Sequence, residues 1–140
     1  MKIALLSKLL GGIWMSSLTF LAHSQDLSAA WQLRVSDMDS QVKAEATIRF
    51  SNQTATSCMA GNWKRVLVES TAVHAEGFFP LAGPLAYKLE NGTVTLGRTE
   101  VCDGYLFLVG ELEGDTIEGS YDALGWGTKK LGSFSLQKIQ

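Results

Sequence analysis

Residues Gly104–Lys138 read GYLFLVGELEGDTIEGSYDALGWGTKKLGSFSLQK, and this stretch decides the fold class. Three apolar runs are separated by Glu113-Gly114-Asp115 and by the glycine-rich Gly125-Trp126-Gly127, which is how an antiparallel meander is punctuated. In Thr116–Asp122, Ile117, Gly119 and Tyr121 fall on one face, and Thr116, Glu118, Ser120 and Asp122 on the other. In Gly132–Lys138, Phe134 and Leu136 alternate with Ser133, Ser135 and Gln137. A period of two predicts strands with one buried and one wetted face. The first run, Tyr105–Glu111, is apolar on both faces.

The same period recurs upstream. Trp31, Leu33 and Val35 alternate with Gln32 and Arg34, and the preceding Leu27–Ala30 is read as a short helix capped by Asp26. In Lys43–Asn52, Ala44, Ala46, Ile48 and Phe50 line one face and Glu45, Thr47, Arg49 and Ser51 the other. Trp63–Glu69 alternates less well: Trp63 and Leu67 share a face with Arg65 and Glu69, while Val66 and Val68 sit opposite. Such a strand is buried on both sides or lines a binding surface. Leu85–Glu90 and Thr93–Leu96 flank Asn91-Gly92, the strongest short hairpin signal, because both turn residues tolerate positive φ. Thr71–Pro84 contains both prolines and Phe78-Phe79-Pro80, and is read as a long loop or irregular edge.

The count is seven or eight short strands joined by polar turns. Sequential antiparallel strands in that number close on themselves and remove their unpaired edges, so the expected fold is all-β, a small up-and-down β-barrel. A two-sheet β-sandwich is the alternative.

At 140 residues the chain holds one such domain, residues 25–140, behind a leader. Lys2 and Lys8 give a positive start, Leu9–Ala22 an apolar stretch, and Ala22-His23-Ser24 a small-x-small cleavage site, so residues 1–24 read as a signal peptide. The apolar stretch is shorter than the ~20 residues of a spanning helix, so no membrane span is expected after cleavage. The leader directs the chain to the periplasm or out of the cell. Its loss removes two lysines and no acids, taking the formal charge from −2 to −4. An acidic domain without a basic stripe argues against nucleic acid as a partner.

Cys58 and Cys102 both lie in the exported part, and two cysteines in an oxidising compartment are most simply one disulfide. With only His74 beside them, they do not make a metal site. A Ser-His-Asp triad lacks its G-x-S-x-G elbow. The carboxylates Glu111, Glu113, Asp115, Glu118 and Asp122 fall on turns and on a polar strand face, where solvation accounts for them. No phosphate loop or other cofactor motif is present. The expectation is a non-enzymatic protein without cofactor or metal.

Aromatic residues are the candidate binding groups. Trp126 sits between glycines in a loop at a barrel mouth, where it either plugs the open end or stands outward as an anchor. Tryptophan suits the second role because it buries much area at small entropic cost. Phe78 and Phe79, and the strand aromatics Trp63 and Tyr105, complete the candidate set. Two functions are then expected. One is an exported protein-binding module, such as an inhibitor of a hydrolase in the cell envelope or secreted space, whose partner is another exported protein. The other is a barrel that carries an apolar small molecule in an interior lined by Trp31, Trp63, Phe107 and Tyr121.

Leu27-Ser28-Ala29-Ala30-Trp31-Gln32-Leu33 resembles the Leu-Ser-x-x-Trp entry to strand one in small secreted barrels of the calycin type, nearest in plan to the bacterial periplasmic inhibitors of metalloproteases. The resemblance implies a disulfide-stapled barrel of about this size and an inhibitory function.

Overall fold

The computed structural model describes residues 26–75, 77–100, 102 and 104–140. Eight strands follow one another: β1 (Ala30–Asp37), β2 (Val42–Thr54), β3 (Lys64–His74), β4 (Leu85–Glu90), β5 (Thr93–Gly97), β6 (Tyr105–Glu113), β7 (Thr116–Leu124) and β8 (Thr128–Lys138). Each pairs antiparallel with its sequence neighbour, and β8 closes on β1 from Trp31↔Lys138 to Asp37↔Gly132. The fold is a closed up-and-down barrel, not a sandwich, because the first and last strands share a ladder.

The alternation in the sequence becomes the inside and outside of the wall. Leu33, Val35, Ala44, Ala46, Ile48, Val94, Leu96, Leu108, Ile117, Tyr121, Phe134 and Leu136 are buried together in one continuous interior cluster. Asn91 and Gly92 turn β4 into β5 with φ of 52° and 81°, as the Asn-Gly pair requires. Gly110 and Gly119 face each other across β6 and β7, and Phe134 lies opposite Gly119. A Cβ on Gly110 would stand 2.8 Å from Phe134 Cζ, so the glycine makes room for that ring inside the barrel.

Both ends are closed by side chains. At one end the β3–β4 loop tucks Phe79 and Leu81 into the interior, and the Tyr121 hydroxyl donates to the Phe78 carbonyl oxygen. Tyr121 meets Phe78 and Phe79 edge-on, with centroids 5.1 and 5.6 Å away. At the other end Trp31, Phe50 and Tyr87 form a chain of edge-to-face contacts at 6.0 and 4.7 Å.

Three expectations are corrected. Leu27–Ala30 is not a helix: Ser28 N donates to Asp26 Oδ1 at 2.8 Å, and the chain is in β1 by Ala30. A single isolated turn does not recover its nucleation cost. Leu27 is instead buried at the barrel mouth, where its carbonyl accepts Trp31 Nε1 at 3.3 Å. Second, β3 begins after Trp63 and runs on to His74, because β2 keeps pairing with it as far as Ala44↔His74. The irregular loop therefore shrinks to Ala75–Pro84. Third, Trp63 and Phe107 do not line the interior. Phe107 has the opposite parity to the inward Leu106 and Leu108, and Trp63 lies with it in a separate cluster on the outer wall.

The β3–β4 seam is narrow, with only Lys64↔Tyr87, Arg65↔Ala86 and Val66↔Leu85 paired. From Leu67 to His74, β3 has a single sheet neighbour and is largely exposed.

Candidate functional site

The outer cluster is built on β6. Tyr105, Phe107 and Val109 point outward, and Trp63, Ala86, Ala55, Met59 and Leu124 pack around them. The rings of Trp63, Phe107 and Tyr105 form a continuous stack, with centroids 5.9 and 5.6 Å apart and planes 21° and 14° from parallel. Trp63 is 2% exposed and Phe107 1%, values ordinarily found in an interior.

What covers them is the Ala55–Trp63 segment, a strap folded across the wall. Three attachments hold it to the β5–β6 connection: the Cys58–Cys102 disulfide, Cys58 N donating to Thr99 O at 2.9 Å, and Thr99 Oγ1 donating to Thr56 O at 2.9 Å. Thr99 is the one fully buried polar side chain among the described residues, and the strap carbonyl satisfies it. At its far end Ala55 N donates to Trp63 O at 2.9 Å, and Trp63 Nε1 to Ala60 O at 3.2 Å. Lys88 Nζ stands 5.5 Å over the Trp63 ring, a cation–π distance.

Trp126 has the opposite fate. It is the most exposed large apolar side chain among the described residues, at 111% of its reference area. It stands at the tip of the β7–β8 hairpin, where Gly125 N donates to Gly127 O at 3.0 Å. The tip is outward and plugs nothing, since Phe79 and Leu81 already occupy that end. Its base is anchored in the outer cluster: Leu124 packs there and pairs with Tyr105, whose hydroxyl donates to Cys102 O at 3.0 Å. The strap, the stack and the hairpin thus form one mechanically connected unit.

The predicted binding residues are therefore dispersed. Trp126 is free to touch a partner, Phe78 is half-buried at the plug, and Phe79 is fully buried. Trp63 and Tyr105 support the wall beneath the hairpin. The sequence held one signal for the outer layer, a β6 run apolar on both faces, but gave no sign of which distant segment would cover it.

The remaining chemistry is spread thin. His74 is exposed at the end of β3, opposite Ala44. Glu111 and Glu118 are direct cross-strand partners on the outer face, and Thr93 Oγ1 donates to Glu111 Oε1 at 2.7 Å. Among the described residues no group of three metal-ligating side chains converges. Asp37 is held below the usual carboxylate range by amide donation, chiefly from Gln41. Burial pushes the Tyr121 phenol up to about 12 and that of Tyr87 upward in the same sense.

A cleft of about 450 Å³ opens at the N-terminal mouth, above Phe50 and Tyr87, with Asp26, Asn52, Asn62, Lys64 and Lys88 on its walls. Lys64 Nζ donates to Asn52 Oδ1 at 3.1 Å and Lys88 Nζ to Glu90 Oε2 at 3.0 Å, so both ammonium groups are already engaged.

Comparison with protein-family models, with curated proteins and with solved structures returns no match to this chain.

Proposed function

We propose that this chain is an exported, non-enzymatic protein-binding module that engages another exported protein through the β7–β8 hairpin. The observation that carries this reading is Trp126, fully exposed between two glycines on a hairpin whose base is fixed by a disulfide-anchored aromatic layer. An exposed tryptophan on a preorganised support loses little entropy when it is buried by a partner. Inhibition of a hydrolase fits such a protruding tip on a braced base, and agrees with the resemblance of Leu27–Leu33 to the periplasmic metalloprotease inhibitors.

The test is site-specific photocrosslinking in the exported fraction of the native cell, with the crosslinking residue at position 126 and a control at Met38, another exposed apolar site. A protein captured from position 126 alone supports the reading. Equal capture from both positions, or none from 126, defeats it.

Carriage of an apolar small molecule in the barrel is the second reading. Large interior side chains, Trp31, Phe79 and Tyr121 among them, weigh against it by filling the space a ligand would need. The cleft at the mouth has the volume for a small ligand, but its walls carry Asp26, Asn52, Asn62, Lys64 and Lys88 and suit a polar molecule better than an apolar one. A bound mass of a few hundred daltons in native mass spectrometry, on the order of a small pocket ligand, would decide for it.

A further inference from the structure

Trp126 does not stand alone. The strand that leaves the hairpin tip begins Thr128-Lys129-Lys130, and all three side chains are exposed. Lys130 lies opposite Asp122 and Lys129 opposite Ala123, yet no ion pair involves either lysine among the described residues. The Asp122 carboxylate instead accepts the Ser120 hydroxyl, a partner on its own strand. At about 3.3 Å per strand residue, the Cα atoms of Lys129 and Lys130 lie at most about 10 and 13 Å from that of Trp126, and as strand neighbours paired with Ala123 and Asp122 they project to opposite faces of the hairpin, one on each flank of the tip. Such a separation is that from the centre of a small contact patch to its polar rim.

We propose that the partner surface is an apolar pocket for the indole flanked by carboxylates that meet Lys129 and Lys130. This deepens the protein-binding reading and rests on Trp126 being its anchor. The physical division is between area and sign. The indole supplies desolvated contact area, and two cations at the rim, in no ion pair among the described residues, steer and select an oppositely charged neighbour. The chain as a whole is acidic, with 14 Asp and Glu against 12 Lys and Arg, so this tip is a local reversal of the molecule's own field. An anionic lipid surface is disfavoured by that same net charge. One tryptophan and two lysines also fall short of the two strong signals that stable membrane anchoring takes.

The experiment is selection of a random 12-residue displayed peptide library on the folded, disulfide-intact protein. Trp126→Ala serves as counter-target, and selected peptides are then measured on Lys129→Glu/Lys130→Glu. Both variants alter exposed side chains, and an unchanged melting temperature certifies their fold. The expected result is a set of Trp126-dependent peptides in which apolar residues are flanked by Asp or Glu. Their affinity should fall at least about tenfold on the double lysine variant, and fall with added salt. Trp126-dependent peptides with no acidic enrichment and equal affinity for the double variant overturn the partner chemistry but leave the Trp126 reading standing. A selection with no Trp126-dependent peptide overturns both. A blue shift of tryptophan emission on phosphatidylglycerol vesicles, lost in Trp126→Ala, would replace the carboxylate-rimmed pocket with a membrane surface.

Discussion

The Trp63 ring lies stacked on Phe107 on the outside of the barrel, 5.9 Å between centroids and 21° from parallel. The wall is therefore packed on both sides at β5 and β6, with aliphatic side chains inside and the aromatic stack outside, and only the inner layer belongs to the barrel core. The outer layer exists because the Ala55–Trp63 strap crosses it, and the strap is held where Cys58 and Cys102 come within 5.4 Å between Cα atoms.

Breaking that staple should loosen the strap before the barrel. The disulfide closes a sequence separation of 44 residues. On the chain-entropy account, replacing both cysteines by serine costs about 4 kcal/mol of folding stability. Urea unfolding of the double variant measures the loss. Tryptophan emission of the folded variant should also shift red as Trp63 gains access to water, and an unshifted spectrum would mean that the hydrogen bonds of Thr99 and Trp63 hold the strap unaided.

Gly97 is required by the same stack. It pairs with Phe107, and a Cβ built on it would fall on the Leu106 carbonyl oxygen and come within 2.9 Å of Phe107 Cε1. Gly97→Ala forces the ring off its seat and should cost about 1–3 kcal/mol, as overpacking does. The equally conservative Gly125→Ala, at a glycine with open space around it, should leave the urea midpoint nearly unchanged.

Alkaline stability reports on the plug. Desolvation raises the Tyr121 phenol from 10.0 to about 12, and the hydroxyl keeps its proton to donate to Phe78 O. Here the folded-state value lies above the unfolded one. The contribution is therefore complete below about pH 10 and is lost as the pH rises through 10 to about 12. Tyr121→Phe should be less stable at neutral pH by about 1 kcal/mol, since the Phe78 carbonyl loses its donor. Between pH 10 and 12 it should lose stability less steeply than the natural chain, and parallel pH profiles would refute the assignment.

The single-sided run of β3 is an aggregation hazard that the sequence restrains. Leu67 and Val73 are exposed there, register shifts lie between Glu45 and Ala46 and between Thr47 and Ile48 of the partner strand, and Glu69 is ion-paired to Arg49 at 2.8 Å. Irregular pairing and an edge charge both deter strand addition. Glu69→Val leaves the run from Val66 to Val73 without a carboxylate and should raise self-association severalfold in light scattering. Leu67→Lys in the same background should suppress it; if it does not, the association arises elsewhere on the molecule.

The sequence by itself carried the fold class and the strand count to within one. Alternation of period two and the Asn91-Gly92 turn are local chemistry, expressed within a few residues of where they are written. It also marked Trp126 as the residue to watch, because a tryptophan between two glycines has no strand face to occupy. The helix over Leu27–Ala30 and the early end of β3 were misread for the same reason. Each outcome depends on a contact with a distant residue or strand, Trp31 settling into the mouth in one case and β2 continuing its ladder in the other.

Only the tertiary structure decided the rest. Closure requires β1 and β8, about a hundred residues apart, to share a register, which no local pattern encodes. Whether Trp126 turned in or out depended on what else filled that end, and Phe79 with Leu81 took the place. Whether the outer face of β6 met solvent or protein depended on the strap that the disulfide draws across it. Side-chain parity sets which residues share a face, but what covers that face is set by segments remote in the chain.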